Sequence, residues 1–237
     1  MLTVKNITKS LGGNIILKNV NFCLKKGQIV ALVGPNGAGK TTLMRCIAGF
    51  YDVDRGEISF DGKLLSDKKY RVLQDFAYVP EVGGLYPEMT VFEYLSFLYN
   101  FKKPQGEDFR KKATKIIADF DLSDFINKKC KTLSKGVRRR VAVAGALIAA
   151  PKVLILDEPS EGLDPIQKQK LREIIQKYAK GAIILISTHI MEDVEAIADR
   201  ILLMKNGKLI CDSRLEELKK ATEQNSVEKS FHVIVGD

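Results

Sequence analysis

The stretch Ile29-Val30-Ala31-Leu32-Val33-Gly34-Pro35-Asn36-Gly37-Ala38-Gly39-Lys40-Thr41 decides how the rest of the chain is read. Its first five residues are aliphatic on both faces, the pattern of a buried parallel strand. The next eight fit G-x-x-x-x-G-K-[ST], in which glycines let successive backbone N–H groups point at one anion. A helical pattern then runs over residues 40–48. In a strand–loop–helix setting the helix N-terminus adds roughly half a positive charge to the anion site. Lys40 is expected to reach the β- and γ-phosphates of a nucleotide, and Thr41 to offer its hydroxyl to Mg2+.

Two further aliphatic runs repeat the pattern. Val153-Leu154-Ile155-Leu156 and Ile183-Ile184-Leu185-Ile186 are each followed by a helical pattern, over residues 165–178 and 191–198. The alternation predicts an α/β core with a parallel sheet. Ligands of such sheets bind beyond the carboxyl ends of the strands. There Asp157 is expected on the Mg2+ side of a phosphoryl-transfer site, and Glu158, with no evident partner, is placed to polarise an attacking water. His189 ends the third run and is placed to donate a hydrogen bond to a γ-phosphate. The only other histidine, His232, is read as structural.

Away from these strands, residues 2–7, 15–24 and 57–60 alternate or are rich in β-formers, with turns at Gly12-Gly13, Lys26-Gly27 and Asp61-Gly62. They predict a flanking antiparallel sheet. Asn206-Gly207 between residues 201–204 and 208–211 is a strong hairpin signal. Residues 84–150 become helical, with Thr90 as N-cap, and predict a helical subdomain inserted into the α/β core. The expected domain covers residues 1–218. Residues 219–237 form a short polar tail of unassigned role, β-like over 231–235.

The chain has 237 residues, 45% of them hydrophobic and 28% charged. These are ordinary globular values, which exclude collagen-like, disordered and disulfide-scaffold classes. Its four cysteines have no paired spacing, so structural zinc is not expected and a reducing compartment fits. The longest uncharged apolar run, residues 141–150, is half of what a membrane-spanning helix needs. The N-terminus reads as cytosolic. Net charge is +9, and residues 100–140 hold thirteen basic residues against five acidic ones. Such a segment suits nucleic acid, phosphates or an anionic membrane surface, or is simply a solvated helical face, and Arg138, Arg139 and Arg140 alternatively add positive potential near a bound nucleotide.

With these residues in hand, the chain resembles the ATP-binding subunit of ABC transporters up to about residue 218. Leu133-Ser134-Lys135-Gly136-Val137 looks like the family signature, usually Leu-Ser-Gly-Gly-Gln, and Ser160-Glu161-Gly162-Leu163-Asp164 resembles its D-loop. The resemblance implies an ATPase with Glu158 and His189 catalytic. It implies ATP bound by Gly34, Pro35, Asn36, Gly37, Ala38, Gly39, Lys40, Thr41 and Thr42, with Leu11, Ser134, Gly136 and Asp164 contributing. Mg2+ is implied at Thr41, Asp157 and Glu81. It implies a head-to-tail dimer, homo- or heteromeric, in which one subunit's phosphate loop faces the signature of the other. It further implies a separate transmembrane permease and a peripheral position on the cytoplasmic face of the membrane, with no nucleic acid. The other classes weighed are a soluble ABC-type ATPase acting on DNA or ribosomes, a nucleotide-gated regulatory module, and a P-loop kinase. The chain lacks the second cassette, coiled coils or zinc spacing of the first class. Glu158 and His189 speak against the second, and the signature and D-loop against the third.

Three positions depart from the family pattern. Leu11 stands where an aromatic residue usually stacks on adenine, which predicts weaker base selectivity. Glu81, in Tyr78-Val79-Pro80-Glu81, stands where a Gln usually serves the Mg2+ and water region, with Gly83-Gly84 as its hinge. Lys135 replaces a signature glycine. The last two features are similar to ATPases of the ABC-2, exporter-like group, and imply export of a drug, peptide or lipid-like substrate.

Overall fold

The computed structural model describes residues 1–67, 72–102 and 109–235. Its central sheet has six strands. The three aliphatic runs form β3 (Ile29–Val33), β7 (Val153–Asp157) and β8 (Ile183–Ser187), every residue buried. They lie side by side in parallel, with β8 between β3 and β7. β9 (Arg200–Lys205) joins parallel to β3, and β10 (Lys208–Arg214) folds back antiparallel on it across Asn206-Gly207. Both turn residues have positive φ, 52° and 79°, as a two-residue hairpin turn requires. β6 (Phe76–Val79) closes the far edge, parallel to β7.

A second, antiparallel sheet is built from β1 (Leu2–Leu11), β2 (Asn14–Leu24), β4 (Arg55–Phe60) and the two-residue β5 (Lys63–Leu64), in the order β2-β1-β4-β5. The alternation along the central strands divides two cores. Val30, Leu32, Val153, Ile155, Ile183 and Leu185 face a layer shared with the antiparallel sheet and α1 (Lys40–Ile47). Leu154, Leu156, Ile184 and Ile186 face the helices on the other side. This is why the runs are apolar at every position: a strand covered on both faces has no solvent side.

Between β6 and β7 the chain forms α2 (Val91–Lys102), α3 (Phe109–Asp119) and α4 (Lys135–Leu147). Thr90 caps α2 reciprocally with Glu93: Thr90 N–H donates to Glu93 Oε2 at 2.8 Å, and Glu93 N–H donates to Thr90 Oγ1 at 3.2 Å. α5 (Pro165–Ala179) and α6 (Met191–Ile197) follow β7 and β8.

The tail corrects the expectation of a β-like end. After α7 (Leu215–Thr222), residues 227–235 form a helix, α8 (Val227–Val235). Val227, Phe231 and Ile234 recur at helical spacing and pack with Leu215, Leu218 and Val194. That spacing, not the β-propensity of the same residues, decides the conformation.

The basic segment is exposed over most, not all, of its charges: Arg110, Lys111, Lys115, Lys128, Lys129, Lys131, Lys135 and Arg138 are exposed. Lys103, Glu107 and Asp108 lie outside the described residues. Arg139 is buried, and Arg140 donates inward to the carbonyls of Phe120 and Asp121 at 2.6 and 3.1 Å. Lys102 donates to the carbonyls of Leu73 and Phe76, and Lys129 and Lys131 both pair with Glu88. Lys102, Arg139 and Arg140 thus turn inward, while the rest of the segment's described cations stay at or near the surface. Arg139 and Arg140 bond backbone carbonyls where the sequence reading placed them as potential near a nucleotide.

Candidate functional site

The loop from Gly34 to Gly39 leaves β3 and enters α1 without a side-chain cap: Gly39 holds the N-cap position at φ 103°, and no acidic residue lies in the first turn. The first amides of α1 are therefore left for an anion. Tertiary contacts shape the loop as well. Gly207 N–H donates to the Ala38 carbonyl at 3.1 Å, and the Lys18 N–H donates to that of Gly207 at 2.8 Å. Gly34 lies so close to β9 that a Cβ there would sit 2.2 Å from the Met204 carbonyl oxygen. Pro35, Asn36 and Gly37 are exposed, Ala38 is buried, and Thr41 and Thr42 are half-buried.

Lys40 folds back over its own loop, its Nζ donating to the carbonyls of Gly34 at 2.6 Å and Pro35 at 3.2 Å. Burial pulls the pKa of this ammonium below its ordinary value, against the opposing fields of Glu158, Asp157 and Glu81. A triphosphate arriving in the loop meets a half-buried cation held, among the described residues, by neutral carbonyls.

Asp157 ends β7 and is buried. Its carboxylate accepts from the Ser187 hydroxyl at the end of β8 and from the Tyr78 hydroxyl on β6, the latter at 3.3 Å. Burial, then the neighbouring Asp157 charge, pushes the Tyr78 phenol up to about 12, so it stays a donor. No ion pair to Asp157 exists among the described residues. Carboxylate oxygens met by neutral hydroxyls suit a cation, and the donor set of Asp157 with the Thr41 hydroxyl fits Mg2+. Among the described residues no group of three carboxylate, imidazole or thiol ligands converges. A divalent ion here completes its shell with phosphate oxygens and water, the usual mode for Mg2+.

Glu158 has φ 48°, and its N–H is shared between the Ser187 carbonyl (3.1 Å) and hydroxyl (3.2 Å). This left-handed turn is costly for a non-glycine residue, and it sets the side chain beside His189. Glu158 Oε2 lies 2.9 Å from His189 Nδ1, with Glu158 buried and His189 largely exposed. The approach brings together residues thirty-one apart in sequence but has no hydrogen-bond geometry, and among the described residues Glu158 Oε2 accepts no hydrogen bond. His189, largely exposed, can turn its imidazole to a ligand.

The structure thus brings together the phosphate loop, Lys40, Asp157, Glu158 and His189 at the ends of β3, β7 and β8. Glu81 follows β6, exposed at the rim, and its charge acts on Lys40. Gly83 and Gly84 beside it have φ of 89° and 86°. Leu11 ends β1, half-buried, opposite Asn14.

Ser134 and Gly136 belong to a different locus. Ser134 caps α4, its Oγ accepting from the Val137 N–H at 3.4 Å. The signature abuts the D-loop of its own chain. Lys135 Nζ lies 2.7 Å from Glu161 Oε1, its stem crosses Gly162, and a Cβ on Gly136 would stand 3.1 Å from Gln167 Oε1. Asp164 caps α5, accepting from the Gln167 N–H at 2.9 Å, with Pro165 in the first turn. No hydrogen bond among the described residues joins Ser134 or Gly136 to the phosphate loop.

Two residues of this region carry no role in the sequence analysis: Ser187 and Tyr78. Arg139, expected as one of three arginines adding potential near a nucleotide, lies on the buried side of α4, while Lys135 and Arg138 of the same helix are exposed.

The model of the family described as ABC transporter matches residues 17–161. The SkfA peptide export ATP-binding protein SkfE of Bacillus subtilis is 34% identical over 224 residues, covering 94% of this chain and 93% of that protein. A solved ATP-binding subunit of an ABC transporter superimposes with a TM-score of 0.92 at 30% identity, covering 99% of both chains. A dimeric ATP-binding cassette in a post-hydrolysis state, bound to ADP and Pi, superimposes with a TM-score of 0.83 at 29% identity, covering 91% of this chain and 99% of that one.

Proposed function

The chain belongs to the ABC transporter family as an ATP-binding and ATP-hydrolysing subunit, and from that premise we propose that its turnover drives export of a peptide, drug or lipid-like substrate through a separate transmembrane partner. The observation that carries the catalytic assignment is the convergence of the phosphate loop, Asp157, and the Glu158–His189 pair at 2.9 Å on three adjacent strand ends.

In this reading the loop amides and Lys40 bind the triphosphate, and Thr41, Asp157 and Glu81 hold Mg2+. The ion, when bound, neutralises charge on the β- and γ-phosphate oxygens. Glu158 accepts a proton from the attacking water, and His189 donates to the γ-phosphate. Ser134 and Gly136 at the open end of α4 serve the nucleotide of a second subunit, head to tail; the solved relative bound to ADP and Pi is likewise dimeric. A helix N-terminus attracts phosphate across such an interface.

No described helix is long and apolar enough to cross a membrane. Contact with the membrane partner is assigned to a groove of about 1050 Å3 between the helices and β6, lined by Phe50, Tyr51, Leu73, Tyr86, Leu98 and Phe101. Phe50 and Phe101 are 67% and 70% exposed, an aromatic surface suited to a short apolar helix of the permease on the cytoplasmic face.

The test is Glu158→Gln. Loss of a general base is expected to lower ATP turnover about 10²- to 10⁴-fold, with ATP affinity retained and an ATP-bound dimer accumulating on gel filtration. Turnover within threefold of wild type would remove Glu158 from the mechanism.

A further inference from the structure

Arg139 is the most deeply buried arginine among the described residues, 7% exposed. Arginine is seldom buried without a carboxylate to pair with, yet among the described residues this guanidinium bonds only backbone carbonyls. Nε donates to Pro159 at 3.1 Å, Nη1 to Pro80 at 2.5 Å, and Nη2 to Asp157. Burial draws its pKa down, and the fields of Asp157, Glu161, Glu158 and Glu81 oppose that effect.

The three acceptors are not scattered. Val79 and Leu156 are register partners in the parallel pair β6–β7, so Pro80 and Asp157 close two neighbouring strands. Beyond them the chain leaves the sheet, and their carbonyls need another donor. Pro80 immediately precedes Glu81, and Asp157 immediately precedes Glu158. One rigid planar fork therefore fastens the roots of both carboxylates to α4, the helix whose first turn follows Ser134.

We propose that Arg139 is a positioning residue of the hydrolytic site, holding the Glu81 loop and the Asp157-Glu158 turn in register and carrying displacements of α4 to both. The proposal rests on the assignment of Glu158 and Glu81 made above. Lysine cannot replace the fork, because an ammonium is a point donor and cannot span three carbonyls in one plane.

The test compares Arg139→Gln and Arg139→Lys with wild type in the full chain. Without nucleotide, amide exchange over residues 81–85 is expected to speed up about tenfold in Arg139→Gln. With Mg2+ and ATP, kcat is expected to fall about 10- to 100-fold while KM stays within about threefold, because the phosphate loop is untouched. Arg139→Lys, which keeps charge and stem, is expected to lower kcat about fivefold or more, still short of Arg139→Gln. It carries the test alone if Arg139→Gln does not fold. Exchange and kcat within twofold of wild type overturn the proposal, and so does a KM that rises as much as kcat falls. A wild-type chain without ATP turnover overturns the underlying assignment; normal wild-type turnover with unaffected variants overturns this inference alone.

Discussion

Gly34→Ala separates what the phosphate loop needs for its turn from what it needs for its seat on the sheet. The added Cβ would lie 2.2 Å from the Met204 carbonyl oxygen, 3.1 Å from that carbonyl carbon and 3.3 Å from Ala38 Cβ. A carbon–oxygen contact rests at about 3.3 Å, so the overlap is about 1 Å. Both sides of the clash are backbone, and no rotamer relieves it. Overpacking of this kind costs about 1–3 kcal/mol. The way out is to lift the loop from β9, which loosens the Lys40–Gly34 bond and the Gly207–Ala38 bond. In a chain of this length 1 kcal/mol moves Tm by about 2–4 °C, so apo Tm is expected to fall by about 2–12 °C. If half of the cost falls on the bound loop, ATP affinity drops about two- to tenfold. Thermal melts with and without Mg2+ and ATP read both quantities. An apo Tm within about 1 °C of wild type, together with an unchanged ATP-induced rise, would refute the close-approach argument.

Three further outcomes are expected. Burial favours the neutral amine of Lys40 and bound phosphate favours the ammonium, so its pKa rises on ATP binding. ATP binding near pH 9–10 should then take up a proton, read by titration calorimetry in buffers of different ionisation enthalpy; proton release there would contradict the assignment. Gly145→Ala places a Cβ 2.5 Å from Tyr94 Cε1 and 2.7 Å from Leu98 Cδ1, while the Tyr94 hydroxyl is tied to the Gly84 carbonyl at 2.8 Å. Packing cost then exceeds the helix-propensity gain of about 1 kcal/mol and Tm falls; a higher Tm would show that propensity wins. With Leu11 in place of a stacking aromatic, ATP and GTP should bind within about threefold of each other, stacking being worth about 1–3 kcal/mol per base. A preference above tenfold in equilibrium binding would require another base-reading residue.

Sequence signals were reliable where chemistry is local. The strands β3, β7 and β8 could be read because a strand buried on both faces must be apolar throughout. The turn at Asn206-Gly207 and the cap at Thr90 were legible because a few adjacent residues decide them. Where local preferences compete, the reading failed: Phe231 and Ile234 favour strands by type, yet their spacing against Val227 and Leu218 makes a helix. β6 escaped notice because four residues carry too little pattern.

The amino-acid sequence by itself determined the parallel core, the anion-binding loop and which carboxylates and imidazole end the strands. Only the tertiary structure decided how those groups are held: Glu158 beside His189, Asp157 under the Ser187 and Tyr78 hydroxyls, and Arg139 across two strand ends. These partners stand 18 to 79 residues apart. Local backbone preference cannot specify a contact at that separation; the pairing follows from which strands neighbour one another in the sheet and from the need of buried polar groups for a partner.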